Sequence, residues 1–261
     1  GRLALCNTSD NVVQVLRDHH RFSSDRMGFL AKELSDEQRG GYAPIFEVLS
    51  RWFVFADPPF HTRLRLLLNP LFTPKVVGGF RSMVQEIVRN LLDEMEGRGR
   101  MEVVRDFAYQ VPMSAILALI GMPDLDREKI KHWSEQIGVF FFIRADEPRR
   151  REIACEGVTA MVDYIRPLVE ERRKDLRDDI ISVLLNAEVE GERLTDIEFD
   201  LFFQLLAVAG NETTRNLISH GMLALLENPD QMARLVADPT LLPSAVDEML
   251  RWEPPLALLP R

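Results

Sequence analysis

The sequence has 261 residues, of which 46% are hydrophobic, and its formal net charge is −9. This length and composition allow one large core or at most two small ones. The negative charge argues against a nucleic-acid-binding protein, because such proteins need a basic face to neutralise phosphates. Two cysteines, Cys6 and Cys155, are too few for a disulfide framework and are typical of a reducing, cytoplasmic compartment.

We expect no membrane segment in this sequence. Its longest apolar runs, at 201–210 and 217–226, are separated by polar residues and each is too short to span a bilayer. The first six residues lack the basic end and the long apolar run of a signal peptide. Because there is no initiator Met, we expect both ends to be cut, and missing targeting signals then carry little weight.

Apolar periodicity predicts helix for most of the chain, so we expect a mainly α fold with minor β structure. Leu3–Cys6 is strand-like, and Thr8-Ser9-Asp10 offers N-cap candidates for a helix that ends near Asp18. Residues 23–56 are predicted to be irregular, since two glycines and a proline interrupt them. Further helices are predicted from Pro59 to about Thr73 and at about 75–96, 104–120, 126–143, 148–175 and 178–188.

The longest predicted helix begins at the capping box Thr195-Asp196-Ile197-Glu198 and ends before Asn228-Pro229. A helix of roughly 33 residues would be about 50 Å long, well beyond the usual globular helix. Its first half is apolar on nearly every face, which predicts a position inside the protein. Helices at about 229–237 and 242–252 follow, and we expect residues 1–261 to form a single, incomplete domain.

A polar segment, AGNETTRN at 209–216, interrupts the middle of this long helix. Burying its hydroxyls, amides and carboxylate costs several kcal/mol unless partners are supplied. Ala209 and Gly210 remove side-chain bulk, which would let a flat ligand approach the backbone. Thr213 can hydrogen-bond back to the preceding turn, loosen the helix and open a slot for water or dioxygen. A helix that surfaces midway explains the same residues, and periodicity alone leaves both interpretations open.

Three other segments carry candidate functional residues. His61 and Arg65 lie four positions apart, so they share a helical face that presents two donors to one anion; an ordinary basic surface is the more common explanation. Glu248 and Arg251 form an i,i+3 pair among apolar neighbours, so a buried pair competes with the usual surface pair. Arg261 ends an otherwise apolar, proline-directed tail and by itself indicates nothing.

Together and in this order, these segments resemble the cytochrome P-450 family over essentially the whole chain. DPPFHTRLR at 57–65 is similar to the helix whose His and Arg hold a haem propionate in bacterial members. AGNETT at 209–214 resembles the oxygen-activation signature, and Glu248-x-x-Arg251 resembles the pair that locks the core behind the haem. The resemblance implies a cytochrome P-450 fold that lacks its N-terminal start, its C-terminal cysteine loop and its last helix.

The resemblance also implies a cofactor, haem b (iron protoporphyrin IX), and roles for individual residues. Glu212 and Thr213 would be the catalytic acid–alcohol pair that delivers protons during oxygen activation. The cofactor-binding residues would be His61, Arg65, Ala209, Gly210 and Arg261. The substrate would meet Leu205, Val208, Ala209, Ala257 and Leu258. The family's iron-ligating cysteine stands in a loop that this chain does not contain, and Cys155-Glu156-Gly157 mimics only the end of that loop, so no residue is assigned as a metal ligand.

The implied activity is a monooxygenase that inserts one oxygen atom of O2 into an apolar small molecule of terpene, lipid, sterol or polyketide type. Electrons would come from NAD(P)H through a ferredoxin or a similar redox protein, with Arg63 and Lys75 as candidates for the basic docking patch. Two alternatives stay open. One is a peroxide-using member of the family, which can dispense with the Glu212–Thr213 relay, and the other is a non-catalytic fragment that cannot ligate haem iron by itself.

Overall fold

The computed structural model describes residues 5–139, 148–256 and 258. Thirteen α-helices account for most of these residues, which confirms the prediction of a mainly α fold. The only β-type pairing among them is an isolated bridge between Val189 and Glu192. Of the predicted strand at Leu3–Cys6, the described residues Leu5 and Cys6 are not in a strand.

The helices are given in chain order: α1 (Ser9–Arg17), α2 (Arg26–Glu33), α3 (Asp36–Leu49), α4 (Phe60–Leu68), α5 (Pro74–Gly79), α6 (Arg81–Arg98), α7 (Gln110–Ile120), α8 (Arg127–Val139), α9 (Pro148–Lys174), α10 (Ile180–Leu185), α11 (Asp196–Glu227), α12 (Pro229–Ala237) and α13 (Leu242–Trp252). The predictions for α9, α11, α12 and α13 are confirmed to within about two residues. The helix predicted at 75–96 is wrong as a single element, because Phe80 separates α5 from α6. The predicted end of α8, 140–143, lies outside the described residues.

The described residues form two compact units. Unit 1 comprises the described residues up to Thr73 and those of 135–204, and unit 2 comprises those of 74–134 and 205–258. Two helices, α8 and α11, contribute residues to both units. The single domain expected from the sequence stays a prediction.

The core of unit 1 is built on α9, which packs against α3 and α10. Met161, Ile165 and Val169 of α9 are buried, and their i,i+4 spacing places them on one face of the helix. Each buried side chain of this size contributes roughly 1.5–3 kcal/mol of transfer free energy. The core of unit 1 therefore explains why a helix as long as α9 is stable here.

Residues 23–56 are largely helical, so the irregular structure predicted for them is wrong. The carboxylate of Asp25 caps α2 by accepting a hydrogen bond from the Gly28 amide at 2.8 Å. A glycine inside a helix costs about 1 kcal/mol relative to alanine, and α3 contains two. The apolar residues Ile45 and Leu49 of α3 are buried in unit 1, and this burial outweighs the poor local propensity.

The core of unit 2 centres on α7, which packs against α6. A π-helical turn, Val103–Ala108, leads into α7, and the carboxylate of Glu102 accepts from the amides of Val104 and Arg105. By length and composition Val103–Ile120 would also allow a membrane span, with a mean hydropathy of 1.3, but half of it is buried inside the protein. Buried core helices commonly have this composition, so we interpret the segment as part of the core.

Candidate functional site

The polar segment of α11 is helical throughout, so the loosening expected at Thr213 does not break the helix. The Thr213 hydroxyl donates to the carbonyl oxygen of Ala209 at 2.8 Å, which is the back-bond suggested by the sequence. Further along, the Ser219 hydroxyl donates to the carbonyl oxygen of Arg215, also at 2.8 Å. Such bonds satisfy a hydroxyl proton within the helix while the hydroxyl oxygen can still accept a hydrogen bond.

Glu212 belongs to a chain of polar contacts that leaves α11. Arg215 Nη2 lies 3.4 Å from Glu212 Oε1, and Arg215 Nε donates to Asn216 Oδ1 at 3.4 Å. Asn216 Nδ2 in turn donates to the carbonyl oxygen of Pro255 at 3.3 Å. The side chains of Glu212 and Arg215 are 32% and 27% exposed, so the ion pair is partly exposed to water. Sequence reasoning missed Arg215 and Asn216, although the i,i+3 spacing of Glu212 and Arg215 indicates the first contact.

Asn211 is the most deeply buried residue of the polar segment, at 5% exposed. Its side-chain oxygen is buried and has no hydrogen-bond partner among the described residues. Unpaired buried acceptors are uncommon in native proteins. The polar segment therefore contains one buried group whose role the described contacts do not account for.

The two small residues of the segment face different surroundings. Ala209 is exposed, whereas a Cβ on Gly210 would come within 3.0 Å of Ile116 Cδ1. Glycine at 210 thus lets α7 approach α11 closely, and an open approach to the backbone exists on the Ala209 side. Leu205 and Val208, the predicted substrate contacts on the preceding turn, are both buried.

In unit 1, α4 carries His61 and Arg65, one helical turn apart as their spacing predicted. The His61 ring lies 6.2 Å from the ring of Phe53, centroid to centroid. Arg65 is exposed and has no carboxylate partner among the residues that the structure describes. Its guanidinium is therefore available to an anion, for which Arg is well suited because it binds carboxylates through two parallel hydrogen bonds.

Arg63 is not the free surface cation that a docking patch needs. Its guanidinium forms an ion pair with Glu198, whose side chain is 9% exposed, and lies 3.3 Å from Glu192 Oε2. Glu198 also accepts from the Thr195 amide at 2.9 Å, which completes the predicted capping box at the start of α11. The hypothesis that Arg63 receives a redox partner is corrected accordingly, and Lys75 remains an exposed candidate.

Glu248 and Arg251 form the predicted pair on α13, but at the surface of unit 2. Two hydrogen bonds of 2.7 and 2.6 Å join the guanidinium to the carboxylate. The bond from Arg251 holds the pKa of Glu248 below its ordinary value. Both side chains are more than half exposed among the described residues. The buried pair considered from the sequence stays a prediction for the full-length protein. Of the other predicted site residues, Leu258 is exposed, and Ala257 and Arg261 lie outside the described residues.

Comparison with known protein families identifies the chain. The family model described as cytochrome P-450 matches residues 8–261. The chain belongs to the cytochrome P-450 family. This assignment explains the order in which the His61–Arg65 helix, the polar segment of α11 and the Glu248–Arg251 pair occur.

Curated cytochrome P-450 relatives share about a third of their residues with the chain. A cytochrome P-450 of Priestia megaterium is 35% identical over 95% of this chain and 61% of its own length. The steroid C26-monooxygenase of Mycobacterium tuberculosis is 34% identical over 97% of this chain and 56% of its own length. The chain thus spans between half and two thirds of the length of these relatives.

Solved cytochrome P-450 structures show the same fold. A myxobacterial cytochrome P-450 in complex with myristic acid is 38% identical, with a TM-score of 0.79 over 93% of this chain and 58% of the solved chain. The cytochrome P-450 PksS of the bacillaene polyketide synthase of Bacillus subtilis 168 is 32% identical, with a TM-score of 0.79 over 94% of this chain and 58% of the solved chain. The cytochrome P-450 fold is therefore confirmed, and its described part here is incomplete relative to these structures.

Residues of each unit, taken by itself, suit one part of the family's cofactor, haem b. A haem presents two propionates and a flat apolar ring. In unit 1 the guanidinium of Arg65, which has no carboxylate partner among the described residues, suits a propionate. In unit 2 the exposed small side chain of Ala209 leaves room for a flat ring. Cys6 and Cys155 form no disulfide among the described residues, and neither has the sequence context of the family's iron ligand.

Proposed function

We propose that the protein is a haem-dependent monooxygenase that inserts one oxygen atom of O2 into an apolar small molecule of lipid, steroid or polyketide type. Family membership supports the reaction class, and the steroid, fatty-acid and polyketide associations named for the relatives support the substrate class. The observation that carries the proposal is that Glu212 and Thr213 are consecutive residues of α11 with different surroundings. A partly exposed carboxylate is followed in the helix by a hydroxyl whose own proton is already donated within the helix.

Glu212 and Thr213 would have separate roles in proton delivery. The carboxylate of Glu212 is partly exposed, so it can take up a proton from solvent and pass it inward. The Thr213 hydroxyl donates to Ala209, which leaves its oxygen free to accept from a water and to hold that water in place. General acid catalysis by positioned groups of this kind contributes typically about 10²–10⁴-fold to a rate.

His61, Arg65 and Arg261 would hold the propionates, and Ala209 and Gly210 would stand beside the haem. The substrate would meet Leu205, Val208, Ala209, Ala257 and Leu258. Bound haem with a cysteine thiolate supplies the reduction of O2 and the oxygen insertion, and the thiolate would come from a segment outside this chain. Electrons from NAD(P)H would arrive through a ferredoxin or similar redox protein, with Lys75 as a docking contact, in the cytoplasm.

The full-length protein with Thr213→Ala tests this proposal, with Thr214→Ala as the matched control. Thr214 is the exposed neighbouring threonine and has no assigned role. We expect Thr213→Ala to keep a thiolate-type carbon monoxide spectrum but to yield about tenfold less product per NAD(P)H consumed, because proton delivery is lost. Thr213→Ser should restore most of the yield.

An unchanged yield in Thr213→Ala would contradict the monooxygenase assignment of the pair. Hydrogen peroxide supplied in place of O2 and NAD(P)H separates the two enzymatic alternatives. A monooxygenase should respond to Thr213→Ala mainly in the NAD(P)H-driven reaction. A peroxide-using member would turn over efficiently with peroxide in both variants.

A further inference from the structure

We propose that Arg215 is a positioning residue for the acid Glu212, and that Asn216 couples this acid to the segment after α13. The inference rests on the proposed function, because it assigns Glu212 to proton delivery. It adds two residues for which neither the family signature nor the sequence pattern required a role.

The side chain of Arg215 lies between Glu212 and Asn216. Its Nη2 atom lies 3.4 Å from the Glu212 carboxylate, and its Nε atom donates to the Asn216 side-chain oxygen. The carbonyl oxygen of Arg215 accepts from Ser219, so side-chain bonds engage both the head group and the backbone of Arg215. Three other residues of α11 therefore contact Arg215: Glu212, Asn216 and Ser219.

Arg215 is the only cation within ion-pair distance of Glu212 among the described residues. A single partner three positions along the helix selects one orientation of a carboxylate that can otherwise rotate freely. That orientation matters for proton delivery, because the donor atom must stay within hydrogen-bond reach of the acceptor. Loss of Arg215 should therefore lower the efficiency of Glu212 without removing its carboxylate.

Asn216 connects α11 to a residue outside the helix. Its Nδ2 atom donates to the carbonyl oxygen of Pro255, three residues after the end of α13. Pro255 has no backbone N–H, so its carbonyl is the hydrogen-bonding group that it offers to a partner. The Glu212–Arg215–Asn216–Pro255 chain thus joins the acid to the stretch that leads to Leu258, a proposed substrate contact.

Turnover of the full-length, haem-loaded protein tests the positioning role. The variants are Glu212→Gln, Arg215→Gln and Arg215→Lys, with Arg98→Gln as the matched control, because Arg98 forms an intrahelical pair with Glu94 in the same unit. We expect Arg215→Gln to lower product per NAD(P)H about three- to tenfold and to raise the solvent isotope effect, with a larger loss in Glu212→Gln. Arg215→Lys keeps the charge but not the fork geometry and should recover part of the yield.

Amide hydrogen exchange of the haem-loaded full-length protein tests the coupling without turnover. We expect Asn216→Ala and Arg215→Gln to speed exchange in the peptide 250–256 about threefold or more, because the first removes the bond to Pro255 and the second removes the bond that orients Asn216. Arg98→Gln should leave this peptide unchanged. Exchange that stays at the wild-type rate in Asn216→Ala would overturn the coupling.

The failure of this inference differs from the failure of the proposed function. If Glu212→Gln lowers the yield and Arg215→Gln does not, the assignment of Glu212 to proton delivery is supported and the positioning role of Arg215 is wrong. If Glu212→Gln itself leaves the yield and the isotope effect unchanged, both assignments are wrong. Equal losses in Arg215→Gln and Arg98→Gln would show a general effect of charge removal and would also overturn the positioning role.

Discussion

Arg166 of α9 donates a 3.0 Å hydrogen bond to the carboxylate of Asp200 on α11, whose side chain is only 6% exposed. Burial raises the pKa of Asp200, and the bond from Arg166 opposes that rise without cancelling it. Since the folded-state pKa lies above the unfolded value of about 3.9, this group favours folding at low pH. The contribution is lost as the pH rises through the folded-state pKa.

We therefore expect Asp200→Asn to stabilise the protein at neutral pH by about 1 kcal/mol, because the amide can still accept from Arg166 and carries no charge to bury. The gain should shrink as the pH falls through the raised folded-state pKa of Asp200, because the wild-type carboxyl then becomes protonated. Urea unfolding of the full-length protein between pH 4 and 8 measures this difference. Asp163→Asn, at an exposed position of α9, is the control, and a gain independent of pH would contradict the explanation.

A second buried pair should respond to pH in the opposite direction. Arg172 and Asp179 have side chains that are 2% and 5% exposed, with Nε and Oδ2 2.6 Å apart. Burial alone would raise the pKa of Asp179, but the bonds from Arg172 and Ser182 hold it below its ordinary value. The stability that this pair contributes is present above the unfolded pKa of about 3.9 and is lost as the pH falls through the lower folded-state pKa.

Asp179→Asn should accordingly destabilise the protein by about 2–3 kcal/mol at pH 7, since it leaves the buried Arg172 without its main counterion. The penalty should diminish below about pH 4. Thermal unfolding at several pH values measures it. Asp178→Asn changes an exposed neighbour and should have little effect; equal losses in the two variants would show that the buried pair is not responsible.

Arg63 should act on stability, because Glu198 would otherwise be a largely buried, unpaired carboxylate. We expect Arg63→Gln to lower the free energy of unfolding by about 1–3 kcal/mol. Lys75→Gln removes an exposed charge and should change it by less than about 0.5 kcal/mol. Denaturant unfolding measures the free energy of unfolding of both variants. A stability loss confined to Lys75→Gln would contradict the stabilising role of Arg63.

Gly210 should be coupled to Ile116 by packing. Alanine at 210 would gain about 1 kcal/mol of helix propensity, but its Cβ would stand 3.0 Å from Ile116 Cδ1, and overpacking costs about 1–3 kcal/mol. We expect Gly210→Ala to be net destabilising and Ile116→Val, which removes the Cδ1 methyl, to relieve the loss in the double variant. A double-mutant cycle in urea measures the coupling, and additive effects would exclude the contact as the cause.

The elements that were predictable are those in which local signals agree. The length of α11 follows from a capping box at one end and Asn228-Pro229 at the other, with apolar residues between them. The hydrogen bond from Thr213 to Ala209 is a contact within one helical turn, so residue type and spacing suffice to predict it. The Glu248–Arg251 pair follows from the same i,i+3 rule.

The elements that were not predictable depend on partners distant in sequence. Two glycines and a proline predict irregular structure for residues 23–56. Packing against α9 nevertheless stabilises α3 as a helix. Burial of the Glu248–Arg251 pair cannot be predicted from its apolar neighbours, because a helix face is buried only if another element covers it. The sequence offers Arg63 as a candidate for the docking patch, since nothing near it in sequence indicates Glu198 as its partner.

The sequence by itself determined the family, the order of the helices and the place of the polar segment within α11, because periodicity, caps and motifs act over a few residues. Only the tertiary structure decided which polar groups meet: Arg166 with Asp200, Arg63 with Glu198, and Asn216 with the carbonyl of Pro255. The physical reason is that ion pairs and hydrogen bonds act over a few ångströms of space, and chain distance does not specify that separation.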